Sequence, residues 1–370
     1  MTEASDMLRG RRVVVVTSSL TRGYNALWDA VEPDVAALAV VGARPPDDDL
    51  EVAPPDTRIP LRSVDLGRGL VYEHLFGLRR FLRGFRPDVV HVNRELWTVV
   101  AQEVVSSGAA VVIHGAENLW HHGGRVEQVL RDRLVARAVR RIDGYASWNH
   151  AGADHVSELR GRLRLPPIPT LVLPGVIPPS AYHDTEWKPP GDSDPLEVLL
   201  VGRATPEKGF QDVIDAVARL RDVRITLCGQ GPMLEELVGR ARDRRVALEA
   251  VGFVTAEELA ERMARSHLMV QPSLSTPGWA EQFGRTVAEA MTVGLPCLVS
   301  DSGELPFLVG HDSRALFREG DITDLRDRIA ALTGPEQRDE LSRHQRSLAA
   351  AWRTDVAGAA VLDLWRRMLA

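Results

Sequence analysis

Lysine is almost missing from this chain: of 45 basic side chains only Lys188 and Lys208 are lysines, and arginine serves everywhere else. Cysteine also occurs twice, at positions 228 and 297. Two thiols, both in apolar runs, point to neither a disulfide framework nor a zinc site and read as buried, reduced cysteines of a cytoplasmic protein. No apolar stretch approaches the roughly 20 residues that a bilayer span requires. The four valines at 13–16 are too few for the core of a secretion signal and read instead as a buried strand. A net charge of −6, without any nucleic-acid motif, argues against nucleic acid as a partner.

What remains is a chain of 370 residues, 44% of them hydrophobic, which is enough for two domains with separate cores. Short apolar runs alternate with helical stretches twice over. In the first half 13–17, 37–41, 89–92, 111–114 and 144–148 read as strands, with helices over 72–83 and 126–141. In the second half 198–201, 225–228, 268–271 and 296–300 repeat the pattern. This alternation predicts an α/β architecture of two doubly wound domains. The proline-rich stretch 174–195 has little periodicity and is the hinge candidate. The expected domains are 1–180 and 181–350, with a closing helical segment over 351–370.

The second half carries the most informative residues. Glu281-Gln282-Phe283-Gly284-Arg285-Thr286-Val287-Ala288-Glu289 places two carboxylates eight positions apart across a glycine. No helix breaker follows until Gly294 and Pro296, and Val287 and Met291 share a face, so a helix begins near Gly284. Glu281 then lies in the loop before that helix and Glu289 on its second turn, and the unpaired N–H groups between them favour an anion. A second constellation, Gly202-Arg203-Ala204-Thr205-Pro206-Glu207-Lys208-Gly209, follows the apolar run 196–201. Arg203 and Lys208 stand where a strand ends, and a lysine kept in so arginine-rich a chain suits a point charge on a diphosphate. Two cations and two hydroxyl-binding carboxylates around a phosphate seat read as a nucleotide-sugar site.

With these motifs in this order, the chain resembles the retaining glycosyltransferases of family 4, also called glycosyltransferase group 1. The resemblance implies the GT-B fold, two Rossmann-like domains facing a cleft, with a last helix that crosses back to pack on the first domain. It further implies that Arg203 and Lys208 hold the diphosphate, that Glu281 faces the donor sugar, that the backbone around Phe283 and Gly284 reaches the sugar hydroxyls, and that Glu289 holds the ribose. Cys228-Gly229-Gln230-Gly231-Pro232 and Val251-Gly252-Phe253-Val254 also resemble family segments, the second lying near the nucleotide base at Val254. The implied reaction moves a sugar from a nucleoside diphosphate sugar, a co-substrate and not a cofactor, to an acceptor left open among glycans, lipid-linked molecules and secondary metabolites.

In the first half, Ser18-Ser19-Leu20-Thr21-Arg22-Gly23 follows the first strand and departs from the Gly-Gly loop common in the family. Arg22 and Gly23 are therefore assigned to the acceptor side, where Arg22 points to an anionic acceptor. His114 ends the strand 111–114 and is expected at the cleft edge, where the family places a histidine that contacts the donor sugar. The competing reading is a strand-end histidine bonded to a neighbouring loop. Loops 93–97 and 116–120 resemble acceptor-side loops. Asp47, Asp48 and Asp49 invite a metal reading, but they sit in a polar stretch and read as a solvated loop. Arg203 and Lys208 already neutralise a diphosphate, so no metal is expected.

Residues 1–180 hold 22 basic and 21 acidic side chains, and residues 181–370 hold 23 and 30. Arg79, Arg80, Arg83 and Arg86 load one helix of the first half, and Arg131, Arg133, Arg137, Arg140 and Arg141 another. A peripheral membrane surface is the second reading of these arginines, behind a solvated helix face. Two alternatives to a transferase are a sugar-nucleotide epimerase of the same fold and an inactive transferase-like scaffold. Having Arg203, Lys208, Glu281 and Glu289 all in place disfavours both.

Overall fold

A computed structural model describes residues 7–17, 22–43, 57–65, 73–116, 125–177, 180–188, 191 and 195–370. The expectations for residues 18–21, 47–49 and 117–120 lie outside the described residues, as does the side chain of Arg22. The chain divides into two compact units, one of Met1–Pro178 with Thr354–Ala370 and one of Pro179–Arg353. No described helix is long and apolar enough to cross a membrane.

The first unit is built on strands β1 (Arg12–Thr17), β2 (Ala37–Ala43), β3 (Arg58–Leu61), β6 (Val89–Val92), β7 (Ala110–Gly115), β8 (Gly144–Ser147) and β9 (Thr170–Val172), with β4 (Ser63–Asp65) and β5 (Glu73–Leu75) as a separate antiparallel pair. The seven-stranded sheet is parallel in the order β3-β2-β1-β6-β7-β8-β9. Val13 to Val16 are fully buried because both faces of the sheet are covered, which is why this strand is an unbroken apolar run. Alternate residues serve opposite cores. Val14, Val16, Val90 and Ile113 meet Leu78, Leu82, Val100 and Val135, whereas Val13, Val15, Val89 and Val112 meet Trp28, Val31, Val361 and Trp365.

The expected helix over 72–83 is instead β5 followed by helix Leu78–Phe85. Gly77, at φ 89°, breaks the regular backbone between them. Arg79, Arg80 and Arg83 are exposed on helix Leu78–Phe85 and Arg133 and Arg137 on helix Arg125–Val139, with Arg86, Arg140 and Arg141 exposed just past the helix ends. Arg131 is buried, its guanidinium 3.6 Å from the centre of the Trp97 ring. The last helix, Thr354–Leu369, packs on helix Arg22–Val31, where Gly358 lies close against Val31 and Ala30.

The second unit has strands β10 (Leu196–Val201), β11 (Val223–Cys228), β12 (Ala247–Gly252), β13 (Leu268–Gln271), β14 (Cys297–Ser300) and β15 (Leu316–Phe317), parallel in the order β12-β11-β10-β13-β14-β15. The chain winds outward from β10 through β11 to β12, then returns to β13 beside β10 and winds the other way. The loops after β10 and β13 therefore leave the carboxyl edge side by side, at the switch point where open α/β sheets bind ligands. Cys228 and Cys297 are buried free thiols, and burial raises the pKa of each.

Candidate active site

Two loops of the second unit meet at the β10/β13 switch point. After β10 the chain makes a short 3-10 turn, Pro206–Lys208, and Gly209 then starts helix Phe210–Val217. Gly209 has φ 67°, and a Cβ built on it would stand 1.9 Å from the Pro272 carbonyl oxygen. Only glycine lets these loops approach so closely, and the approach sets Lys208 against the loop after β13. Lys208 Nζ donates to Glu281 Oε2 at 2.7 Å, and Ser273 Oγ donates to the same oxygen at 3.0 Å. Gln271 Nε2 in turn donates to Ser273 Oγ at 2.9 Å, so a buried polar chain fixes the carboxylate. The Glu281 carbonyl accepts from Glu304 N at 2.9 Å, which ties this loop to the one after β14.

Arg203 is exposed on the loop after β10. Burial opposes ionisation of Glu207, but its own backbone N–H and the charges of Arg203 and Lys208 hold its carboxyl below the usual range. The two cations thus act on one carboxylate, that of Glu207.

Helix Arg285–Val293 starts from Gly284, whose left-handed conformation (φ 85°) turns the loop into the helix. Its first N–H groups have no intrahelical acceptor and offer the partial positive charge of a helix N-terminus. The Phe283 side chain is buried, its ring 6.1 Å from that of Trp352 in an edge contact, so only its backbone is left for a ligand. Glu289, 7% exposed, accepts from Arg285 Nε at 3.0 Å. Burial raises its carboxyl pKa, with Arg285 opposing. Val254 follows β12, just ahead of the Thr255–Glu258 capping box of helix Ala256–Arg265. It lines a groove of about 630 Å³ with Phe253, Arg262 and Glu249.

The sequence-assigned residues of the first unit follow β1 and end β7. Arg22 and Gly23 form the first turn of helix Arg22–Val31. His114 does not stand at an open strand edge: it is 5% exposed, with Nε2 3.2 Å from the Leu173 carbonyl and its ring 5.4 Å from that of His91. It shares a sheet face with Val112, and the competing reading of a histidine bonded to a neighbouring loop describes this geometry. Burial lowers its pKa to about 4, against the opposing pull of Leu173.

Sequence reasoning missed three residues. Ser273 and Gln271 hold Glu281, and the ring centre of Trp279 lies 5.0 Å from Lys208 Nζ. Their only sequence signal is position: Gln271 ends a strand, Ser273 follows it, and Trp279 closes a Pro-Gly turn.

Two family models match the chain: glycosyl transferase 4-like domain over residues 8–175 and glycosyl transferases group 1 over residues 183–348. The chain is 30% identical over 238 residues to glycogen synthase of Mycobacterium tuberculosis, covering 60% of this chain and 54% of that protein. It is 27% identical over 301 residues to the GDP-mannose-dependent alpha-mannosyltransferase of the same species, covering 75% and 72%. With alpha-D-kanosaminyltransferase of Streptomyces kanamyceticus it shares 29% over 189 residues, 48% and 47% of the two chains. It thus spans about half the length of the glycogen synthase and the kanosaminyltransferase.

Among solved structures, sucrose-phosphate synthase from Thermosynechococcus elongatus superposes with a TM-score of 0.67 at 15% identity, over 97% of this chain and 99% of that one. HepE of Anabaena in complex with UDP superposes with a TM-score of 0.69 at 17% identity, over 95% and 98%. Likeness at such identity defines the fold, which is GT-B. The chain belongs to the glycosyltransferase group 1 family.

Proposed function

We propose that this chain is a retaining glycosyltransferase that takes its sugar from a nucleoside diphosphate sugar and needs no metal ion. The observation that carries this reading is the Lys208–Glu281 pair at the switch point, with Arg203 and a helix N-terminus beside it. Cleavage of the sugar–phosphate bond moves negative charge onto the leaving diphosphate. Lys208, Arg203 and the first N–H groups of helix Arg285–Val293 supply positive charge where it develops, and they are fixed before the reaction starts. As Lys208 turns toward a phosphate oxygen, Glu281 gains a free lone pair for a sugar hydroxyl while Ser273 still orients it. The backbone at Phe283 and Gly284 serves the sugar, and Glu289 the ribose. Retention follows from front-face attack, in which a diphosphate oxygen takes the acceptor proton and Glu281 positions the sugar.

The names of the relatives support the donor class but not one base, since one is GDP-mannose-dependent and one structural neighbour holds UDP. The test is a thermal-shift panel of UDP, GDP, ADP and their sugars with the full chain. A ligand at about 100 times its Kd stabilises the native state by about 2.7 kcal/mol. One base family is expected to raise Tm well above the others. A panel in which no nucleoside diphosphate raises Tm would remove the donor assignment.

A further inference from the structure

Beside the Lys208–Glu281 pair lies a groove of about 620 Å³ that the donor reading leaves unused. It is lined by Glu207, Gln211, Leu274, Ser275, Thr276 and Trp279. Its wall is held in shape: Leu274 N donates to the Glu207 carbonyl at 2.8 Å and Ser275 N to Glu319 Oε2 at 2.9 Å. Ser275 Oγ is 2.9 Å from Ser302 Oγ. Thr276 and Trp279 exchange backbone hydrogen bonds of 2.7 and 3.2 Å across Pro277-Gly278. That bridge holds a half-exposed indole against Lys208 on one side, which is an unusual investment for a surface turn unless the ring has a use.

The lining has one flat aromatic face surrounded by short-range hydrogen-bonding groups. Gln211 lines the groove with its amide, whose oxygen is screened from solvent and finds no donor among the described residues. Glu207, held ionised by its surroundings, accepts hydrogen bonds and repels anions. Thr276 adds a hydroxyl at the rim. A pyranose ring has the complementary make-up, an apolar face of C–H groups edged by hydroxyls. A phosphate or carboxylate would meet Glu207, and a purely apolar group would leave Gln211 and Glu207 unpaired at a cost.

We infer that this groove is a subsite for a neutral pyranose ring, stacked on Trp279 and bonded through its hydroxyls to Glu207 and Gln211. The assignment of that ring to a carbohydrate acceptor rests on the transferase reading above; the binding itself does not.

The test uses the full chain labelled with 5-fluorotryptophan, with the Trp279 fluorine signal assigned by Trp279→Phe. Methyl α-glucoside, α-mannoside, α-galactoside and maltotriose are titrated, and UDP and GDP separately. The Trp279 signal is expected to follow a saturable isotherm with a pyranoside. Gln211→Ala is expected to raise that Kd by roughly tenfold, the size of one lost hydrogen bond, while leaving nucleoside diphosphate affinity unchanged. A signal that no pyranoside moves, or that moves equally well in Gln211→Ala, or that responds only to the nucleotides, overturns the subsite. Pyranoside binding without any nucleotide binding keeps the subsite and removes the donor reading instead.

Discussion

The ammonium of Lys208 and the carboxylate of Glu281, 73 positions apart in the chain, meet at 2.7 Å with side chains only 16% and 12% exposed. A pair so placed serves binding and structure together, and the two roles separate on mutation. Lys208→Ala is expected to lower kcat by about 10² to 10³, roughly 2.7 to 4 kcal/mol of transition-state stabilisation. It should also cost about 1 to 3 kcal/mol of stability, because Glu281 loses its cation. Arg203→Ala, at an exposed position, should weaken nucleoside diphosphate binding with little change in Tm. Unaltered steady-state kinetics in Lys208→Ala would falsify the diphosphate role.

The two glutamates are expected to fail differently. Glu289→Ala should chiefly lower affinity for the free nucleoside diphosphate, since its proposed partner is the ribose. Glu281→Ala should bind the diphosphate and lose transfer. Calorimetry on both variants decides the matter, and equal loss of binding would remove Glu281 from the sugar. Because burial raises the Glu289 pKa, nucleotide affinity of the parent chain should begin to fall above the ordinary carboxylate range as pH is lowered.

Central strands such as β1 and β10 were legible because burial on both faces writes itself as an unbroken apolar run. β12 escaped notice because it is an edge strand whose Ala247, Glu249 and Ala250 are exposed, leaving no such run. The motif residues Lys208, Glu281 and Glu289 were readable one by one. Their pairing was not, because it depends on strand order and on how tightly Gly209 lets two loops approach. The surroundings of His114 were hidden for a related reason. A sequence fixes which residues alternate along a strand but not what covers each face, and here the cover over His91 includes Trp365, 274 positions away.

Gly209→Ala tests the loop contact directly. The substitution meets both a left-handed backbone and a backbone oxygen, Pro272 O, at 1.9 Å from the new Cβ, so neither partner yields cheaply. A loss of about 2 to 4 kcal/mol is expected, above the 1 to 2 kcal/mol of left-handed strain alone, together with weaker nucleotide binding as Lys208 shifts. Gly239→Ala is the control. It lies inside helix Leu234–Arg244 with nothing within 4 Å of its Cβ, and should stabilise by about 0.5 to 1 kcal/mol. Equal Tm values for the two variants would mean that the loops do not need the glycine.

Trp365 Nε1 donates to His91 Nδ1 at 3.2 Å inside the first unit, where His91 also stacks edgewise on Trp28 and His114. An imidazole accepting at Nδ1 is neutral, and burial, followed by the proximity of His114, holds the His91 pKa well below 6.5. Burial lowers that of His114 to about 4. Well above pH 6.5 both histidines are neutral in the folded and the unfolded chain alike, so neither affects stability there. As pH falls from 6.5 toward about 4, the unfolded chain takes up protons that the folded chain refuses, and stability is lost at up to about 1.4 kcal/mol per pH unit for each histidine. Urea unfolding across this window should give a steeper pH dependence for the parent chain than for His114→Gln, in which one of the two groups no longer titrates. Identical slopes would mean that His114 takes up its proton as readily in the folded chain as in the unfolded one, and that burial beside His91 and the Leu173 carbonyl does not keep it neutral.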